Sequence, residues 1–323
     1  MSEINVLSID GGGIRGVLPA EILIYVEEKI QELTNSDIRL AEHFDLIVGT
    51  STGGILTCIY CLSDENGKPK YTAVDASNLY LKNGGDIFKK EFSHRVKTLW
   101  GLAGPRYSHK NVEKLFDKYM GEDKLDTSVT NMMLTSVNTK GSGLYLFKSF
   151  KAKIDPSRNH TFKDAARATS SAPTYFAPHK LNDMSLIDGG MAINNPSMSA
   201  YVEAMKLFPK AKKINLLSIG TARTVDSFTH KKTKKWGILN WIVPLFDIIL
   251  IASARGVEYQ ADLLYKSHIK GEYLRIDPVL GDADDEMDNA SPENLKLLKE
   301  AGIKSLSLNK DNIDMFLKKT IKP

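Results

Sequence analysis

FDLIVGTSTGG, residues 44–54, decides how this chain folds. FDLIV is a short apolar run that reads as a buried strand, and GGILTCIYCL (53–62) continues as a helix. Between them lies G-x-S-x-G, with Gly49 and Gly53 framing Ser51, so the chain turns sharply and carries one hydroxyl at the bend. A nucleophile elbow needs this context: small residues flank a strained strand-to-helix turn packed against its neighbours. Taken alone, the pattern is also that of a tight turn with a structural serine. A serine hydroxyl is a poor nucleophile at neutral pH unless a base lies within hydrogen-bond reach.

Working outward, NVLSI (5–9) reads as another buried strand, and the run from Val17 to Leu33 as a helix with Pro19 in its first turn. Further strands are expected in MMLTSVNT (132–139), GLYLFKSF (143–150), KINLLSIG (213–220) and EYLRID (272–277). Helices are expected in DASNLYLKNGGDIF (75–88), KNVEKLFDKYM (110–120), PSMSAYVEAMKLF (196–208) and PENLKLLKEA (292–301). Strands alternating with helices predict a three-layer α/β fold, a mostly parallel central sheet flanked by helices on both faces. No repeat or low-complexity linker divides residues 1–323, which read as one domain: a core over about 4–280 and a helical C-terminal extension over about 290–320. FTHKKTKKW (228–236) and GDADDEMDNAS (281–291) read as exposed loops, and DMFLKKTIKP (314–323) as a fraying end.

Composition narrows the function classes. The chain has 323 residues and a net charge of +4, too weakly basic to argue for a nucleic-acid polymer but compatible with an anionic membrane surface. Cys58 and Cys61 form a lone C-x-x-C with no second pair to complete a metal site, and read as small core residues of one helix. The N-terminus has no basic and apolar leader pattern. The most apolar segment, 236–252, contains Asn240, Pro244 and Asp247 and falls short of a membrane span of about 20 residues. The protein is therefore expected in the cytoplasm, meeting the inner membrane surface from one side when active.

IDGGGIRG (9–16) places G-x-G-x-x-G at Gly11, Gly13 and Gly16 after a strand and before a helix. Dinucleotide binding would require an acidic residue at the end of the second strand, where this chain has Gly49-Thr50-Ser51, and a phosphate-binding loop would require Gly-Lys-Ser/Thr. Gly11, Gly12 and Gly13 instead leave backbone N–H groups free to face an anion or a developing oxyanion at a helix N-terminus. Arg15 adds charge there or braces the loop, and a turn needing glycine for backbone reasons alone is the plainer alternative.

A base for Ser51 is not found among the seven histidines: the only late one, His268, sits between lysines in a polar stretch and reads as a surface residue. Asp188 has a more constrained setting. SLIDGGMAINNP (185–196) runs into Asp188-Gly189-Gly190 and then through Asn194, Asn195 and Pro196 into a helix. An Asp-Gly turn is common by itself; DGGGIRG, GTSTG and DGG in this order make a pattern.

Those three motifs, with ATSSAPTYFAP (168–178) and the segment 235–265, resemble the patatin-like phospholipase family over residues 4–280. The resemblance implies a lipid acyl hydrolase with a serine–aspartate dyad and no cofactor or metal: Ser51 as nucleophile, Asp188 as base, and the amides of Gly11, Gly12 and Gly13 with Arg15 as oxyanion hole. Many members carry alanine where Gly190 stands. A free aspartate titrates near about 3.9, and burial would raise it toward a useful base. Compact members of this kind include bacterial anti-phage effectors that cyclic nucleotides switch on to degrade the membrane; no residue here marks a nucleotide pocket, and the oligomeric state is open. Lys231, Lys232, Lys234 and Lys235, followed by Trp236 and Trp241, suit an anionic phospholipid surface, or else a solvated loop before a buried helix. A non-catalytic lipid- or nucleotide-binding protein on the same fold is the rival reading, and would be expected to lose Ser51 or Asp188.

Overall fold

The computed structural model describes residues 3–88, 104–222 and 228–321. Among the described residues eight strands form one sheet: β1 (Glu3–Ile9), β2 (Leu46–Gly49), β3 (Asn131–Asn138), β4 (Gly143–Lys148), β5 (His179–Leu181), β6 (Met184–Asp188), β7 (Lys213–Ile219) and β8 (Tyr273–Ile276). The parallel part runs β3-β2-β1-β7-β8. Its strands are β-branched and apolar because both faces are covered. The glycine loop follows β1, whose two parallel neighbours β2 and β7 are reached in opposite directions. Such a switch point opens a crevice at the carboxyl ends of the strands.

Successive residues of β1 point to opposite faces, and two cores follow from that alternation. Leu7 and Ile9 belong to the larger core, with α1 (Val17–Thr34), α2 (Thr52–Cys61), α3 (Ala73–Ile87), α4 (His109–Met120), α5 (Phe162–Thr169) and α8 (Pro292–Thr320). Ile4 and Val6 join Ala200 and Ala204 of α6 (Ser197–Leu207) on the other face, where Tyr265 of α7 (Ile238–Ser267) also packs. Cys58 and Cys61 are buried free thiols within α2.

Three of the eight strands depart from parallel pairing, and they place the site. β3 pairs with antiparallel β4 along one edge. Along its other edge β2 ends with Gly49 opposite Leu134, and antiparallel β6 takes over, ending with Asp188 opposite Ser136. β2 and β6 thus meet end to end, two residues apart along β3, a spacing of roughly 7 Å.

Several local expectations are corrected. FTHKKTKKW is not all loop: His230–Thr233 form a helical turn, with Lys231, Lys232, Lys234 and Lys235 exposed around it. β4 stops at Lys148, and Ser149–Ala152 turn into a short helix because the Ser149 hydroxyl accepts from the Met132 amide. The C-terminal end is helical through Thr320 and tied down: Phe316 and Leu317 are buried, and the Thr320 carbonyl accepts from Asn5. The apolar segment from 238 onward is the first part of α7, with Pro244 inside it. No helix among the described residues is long and apolar enough to cross a membrane.

Candidate active site

Ser51 sits at the N-cap of α2 with φ 54° and ψ −121°. That is a left-handed region that costs a non-glycine residue about 1–3 kcal/mol and is held only by its surroundings. The surroundings are identifiable: the Ser51 amide donates to Thr169 Oγ1 at 2.9 Å, Thr50 Oγ1 lies 2.7 Å from Thr135 Oγ1, and Thr52 Oγ1 lies 2.5 Å from the Tyr80 hydroxyl. Gly53 is pressed against the neighbouring strand, where an added Cβ would fall 2.3 Å from the Ile9 carbonyl oxygen. Backbone cannot move aside there, so Gly53→Ala should cost several kcal/mol, of the size seen for overpacked cores. Urea denaturation would read it as a lower midpoint; an unchanged midpoint would remove the packing argument for the elbow.

Ser51 and Asp188 meet. The Ser51 hydroxyl donates to Asp188 Oδ2 at 2.6 Å, and the Gly190 amide donates to Asp188 Oδ1 at 2.7 Å. Burial pushes the Asp188 carboxyl up to about 7, against the lowering effect of those two hydrogen bonds. A carboxylate so placed is a far better base than a free aspartate and already accepts the serine's hydrogen bond. At Gly190 an added Cβ would press on the tip of Leu250, at 2.6 Å, and sit within 3.1 Å of Asp188 Oδ1 and 3.2 Å of Asn194 Oδ1, with no backbone atom among its nearest neighbours. A flexible side-chain end can rotate, so Gly190→Ala should fold and keep ester hydrolysis within about threefold of wild type. A loss beyond tenfold would show that the pocket does not yield.

The glycine loop faces the same place with one change from expectation. The Gly11 amide is spent on the Asn194 carbonyl at 3.2 Å, so it is not free for an oxyanion. Gly12 and Gly13 line the cavity that contains Ser51 and Asp188, and neither amide has a hydrogen-bond acceptor among the described residues. Arg15 braces rather than faces the cavity: it is buried, its Nε donates to the Gly12 carbonyl at 3.4 Å, and it is absent from the cavity wall. Gly49 ends β2 and Gly189 begins the turn after Asp188.

Sequence reasoning missed four contributors. Arg275 on β8 clasps Asp10 through both carboxylate oxygens, at 2.9 and 2.6 Å, and anchors the start of the glycine loop. Thr221 donates to the Gly11 carbonyl at 2.6 Å. Thr169 comes from α5, a helix hidden in FKDAARAT because half of its buried residues are alanine and two more are polar. Met287, inside the acidic 281–291 stretch, is buried, accepts the Ile14 amide through its carbonyl at 2.9 Å and walls the cavity. That stretch is therefore docked on the glycine loop instead of being solvated throughout.

The cavity, of about 60 Å³, is mainly apolar, with Ile55, Ile87, Val112, Phe176, Phe246 and Leu250 among its walls. His268 is exposed and absent from this cavity wall, leaving Asp188 as the only titratable group on it among the described residues besides Tyr80 and Tyr175, both pushed further up by burial.

The model of the patatin-like phospholipase family matches residues 7–201. The chain belongs to the patatin-like phospholipase family. It is similar to patatin-like protein 1 of Oryza sativa subsp. indica, 33% identical over 94% of this chain and 81% of that one. It is also similar to patatin-like protein 1 of Arabidopsis thaliana, 32% identical over 95% and 82%, and to patatin-2-Kuras 3 of Solanum tuberosum, 31% identical over 97% and 86%. VipD from Legionella pneumophila superposes with a TM-score of 0.41 at 12% identity, over 95% of this chain and 67% of that one, too distant to bear on function. Membership of the patatin-like phospholipases supports lipid acyl hydrolysis as the general activity. Arg275 and Thr221 lie beyond residue 201, so these two braces of the loop come from the part of this patatin-like chain that the family model leaves unmatched.

Proposed function

We propose that this patatin-like protein hydrolyses acyl esters of membrane phospholipids through a Ser51–Asp188 dyad and an acyl-enzyme. The observation that carries the reading is the 2.6 Å contact between the Ser51 hydroxyl and a buried carboxylate at an apolar cavity. Asp188 takes the Ser51 proton as Oγ attacks the acyl carbonyl, and the Gly12 and Gly13 amides receive the oxyanion. Each such donor is worth about 3 kcal/mol. The alcohol leaves with the proton from Asp188; water then gives its proton to Asp188, attacks the acyl-serine, and Ser51 regains the proton as fatty acid departs. No metal or cofactor enters these steps. The test is mass spectrometry of phospholipid vesicles after incubation with the full chain. Equimolar fatty acid and lysophospholipid support the reading; neither product, with Ser51 inert to a fluorophosphonate, rejects it.

The same reading brings the enzyme to its substrate from one side of the membrane. Lys231, Lys232, Lys234 and Lys235 are exposed beside Phe228, Trp236 and Trp241, whose rings pack edge to face at 5.4 and 5.0 Å. Trp241 is 36% exposed and Leu245, one turn on, 46%. Basic residues beside interfacial aromatics contribute about 1 kcal/mol each at an anionic surface. Changing the four lysines to glutamine should weaken sedimentation with anionic vesicles by at least about tenfold. Unchanged binding would dismiss this face. The cyclic-nucleotide activator has no residue or cavity assigned to it and forms no part of the proposal.

A further inference from the structure

Beside the catalytic cavity lies a second one of about 170 Å³, and the two share Tyr175 and Met287 as walls. One water needs only about 10–15 Å³, so the space is large enough for an organic group. Arg15 lines it. The side chain is 3% exposed, and apart from the 3.4 Å bond from Nε to the Gly12 carbonyl it makes no hydrogen bond or ion pair among the described residues. A guanidinium carries five N–H donors, and here only the Nε–H is bonded among the described residues, while the charge faces Asp247 and Asp285 without a hydrogen bond to either. Its terminal nitrogens are therefore the unmatched donors of this cavity.

The rest of the wall is acidic. Asp247 on α7 and Asp285 and Glu286 on the loop before α8 all line the cavity, and none forms an ion pair among the described residues. A fourth carboxylate, Asp288, is already held by Arg106 at 2.8 Å and by the Tyr107 hydroxyl at 2.6 Å. Among the described residues, one cation without an ion pair faces three carboxylates without one, an excess of two negative charges. The Asp247 carboxyl accordingly titrates high, through burial and against the influence of Arg15, with Asp285, Asp288 and Glu286 adding to the rise. Bare phosphate would answer Arg15 but worsen the excess. A metal ion finds no cluster of three ligands among the described residues. A molecule with one anionic and one ammonium group answers both.

We propose that this cavity is the head-group subsite for a zwitterionic aminophospholipid, its phosphate on Arg15 and its ammonium among Asp247, Asp285 and Glu286. The proposal rests on the acyl-hydrolase reading for its substrate, and the shared walls put the subsite next to the ester that Ser51 would attack. A primary ammonium carries three donors for the carboxylates of this wall, and charge-assisted bonds of that kind are about twice as strong as neutral ones. An anionic head group lacking the amine would meet the carboxylates as like charges.

The experiment is calorimetric titration of the full-length Ser51→Ala protein with glycerophosphoethanolamine, glycerophosphoglycerol and inorganic phosphate. Glycerophosphoethanolamine is expected to bind at least about tenfold tighter than the other two. The added double substitution Asp285→Asn, Glu286→Gln should bring the three within about twofold of one another, with the thermal melting curve confirming the fold. Equal affinity for phosphate, equal affinity for glycerophosphoglycerol, or no binding of glycerophosphoethanolamine overturns the subsite, as does a preference that survives the double substitution. The two proposals fail separately. Wild-type protein that releases fatty acid from phosphatidylethanolamine and phosphatidylglycerol at equal rates defeats the subsite alone. Binding of glycerophosphoethanolamine by a chain that releases no fatty acid defeats the dyad reading and leaves the subsite standing.

Discussion

Ser51→Ala is expected to remove ester hydrolysis, lowering kcat by at least about 10³-fold, because nucleophile and dyad act as one unit and the loss of either is nearly the loss of both. The protein should stay folded. Alanine accepts the same backbone at φ 54° about as well as serine does, and the deleted hydroxyl makes one side-chain hydrogen bond, worth about 1 kcal/mol. The partner left behind is not a stranded charge either. Asp188 loses the bond that favours its ionised form and remains a neutral acid held by the Gly190 amide. Circular dichroism with turnover of a soluble ester checks both halves; appreciable turnover by the folded variant would sink the nucleophile assignment.

Asp188→Asn should abolish the same activity while making the protein more stable at alkaline pH. The wild-type carboxyl titrates near 3.8 unfolded and about 7 folded. Because the folded value is raised, the native state binds the extra proton between those limits and stability falls as pH rises through them. Below about pH 4 both states are protonated and the effect vanishes; above 7 the penalty is complete, at most about 4 kcal/mol. Asparagine keeps an acceptor for the Gly190 amide and never ionises. Its melting temperature should therefore match wild type near pH 4 and exceed it by several degrees at pH 8. In the wild type, kcat/KM should climb with unit slope up to about pH 7 and then level, since only the carboxylate takes the serine proton. A flat profile from pH 5 to 8, or a variant that melts lower than wild type at pH 8, would contradict the buried base.

Much of this was legible in one dimension. β-branched and apolar runs such as NVLSI and KINLLSIG announce buried parallel strands, and G-x-S-x-G between a strand and a helix announces the elbow. The contributors that escaped notice lack such patterns. β5 has three residues and β6 five, too short for alternation to register, and α5 buries one large apolar side chain, Phe162, beside alanines and polar residues. Met287 is surrounded by acids, so local composition argued for solvent although its side chain is buried.

What the sequence by itself determined is which groups are available: a hydroxyl on a strained turn, a carboxyl before two glycines and a loop of bare amides, each set by local backbone chemistry. What only the tertiary structure decided is which of them meet. Ser51 and Asp188 come within 2.6 Å because β6 runs antiparallel along the edge of β3 that β2 vacates, a pairing 137 residues apart in the chain. Folding also spends the Gly11 amide on Asn194, leaves Gly12 and Gly13 in the cavity, and turns Arg15 toward a different one. The reason is physical: a hydrogen bond or a buried charge depends on what is opposite, and what is opposite is set by sheet register and burial rather than by neighbours in sequence.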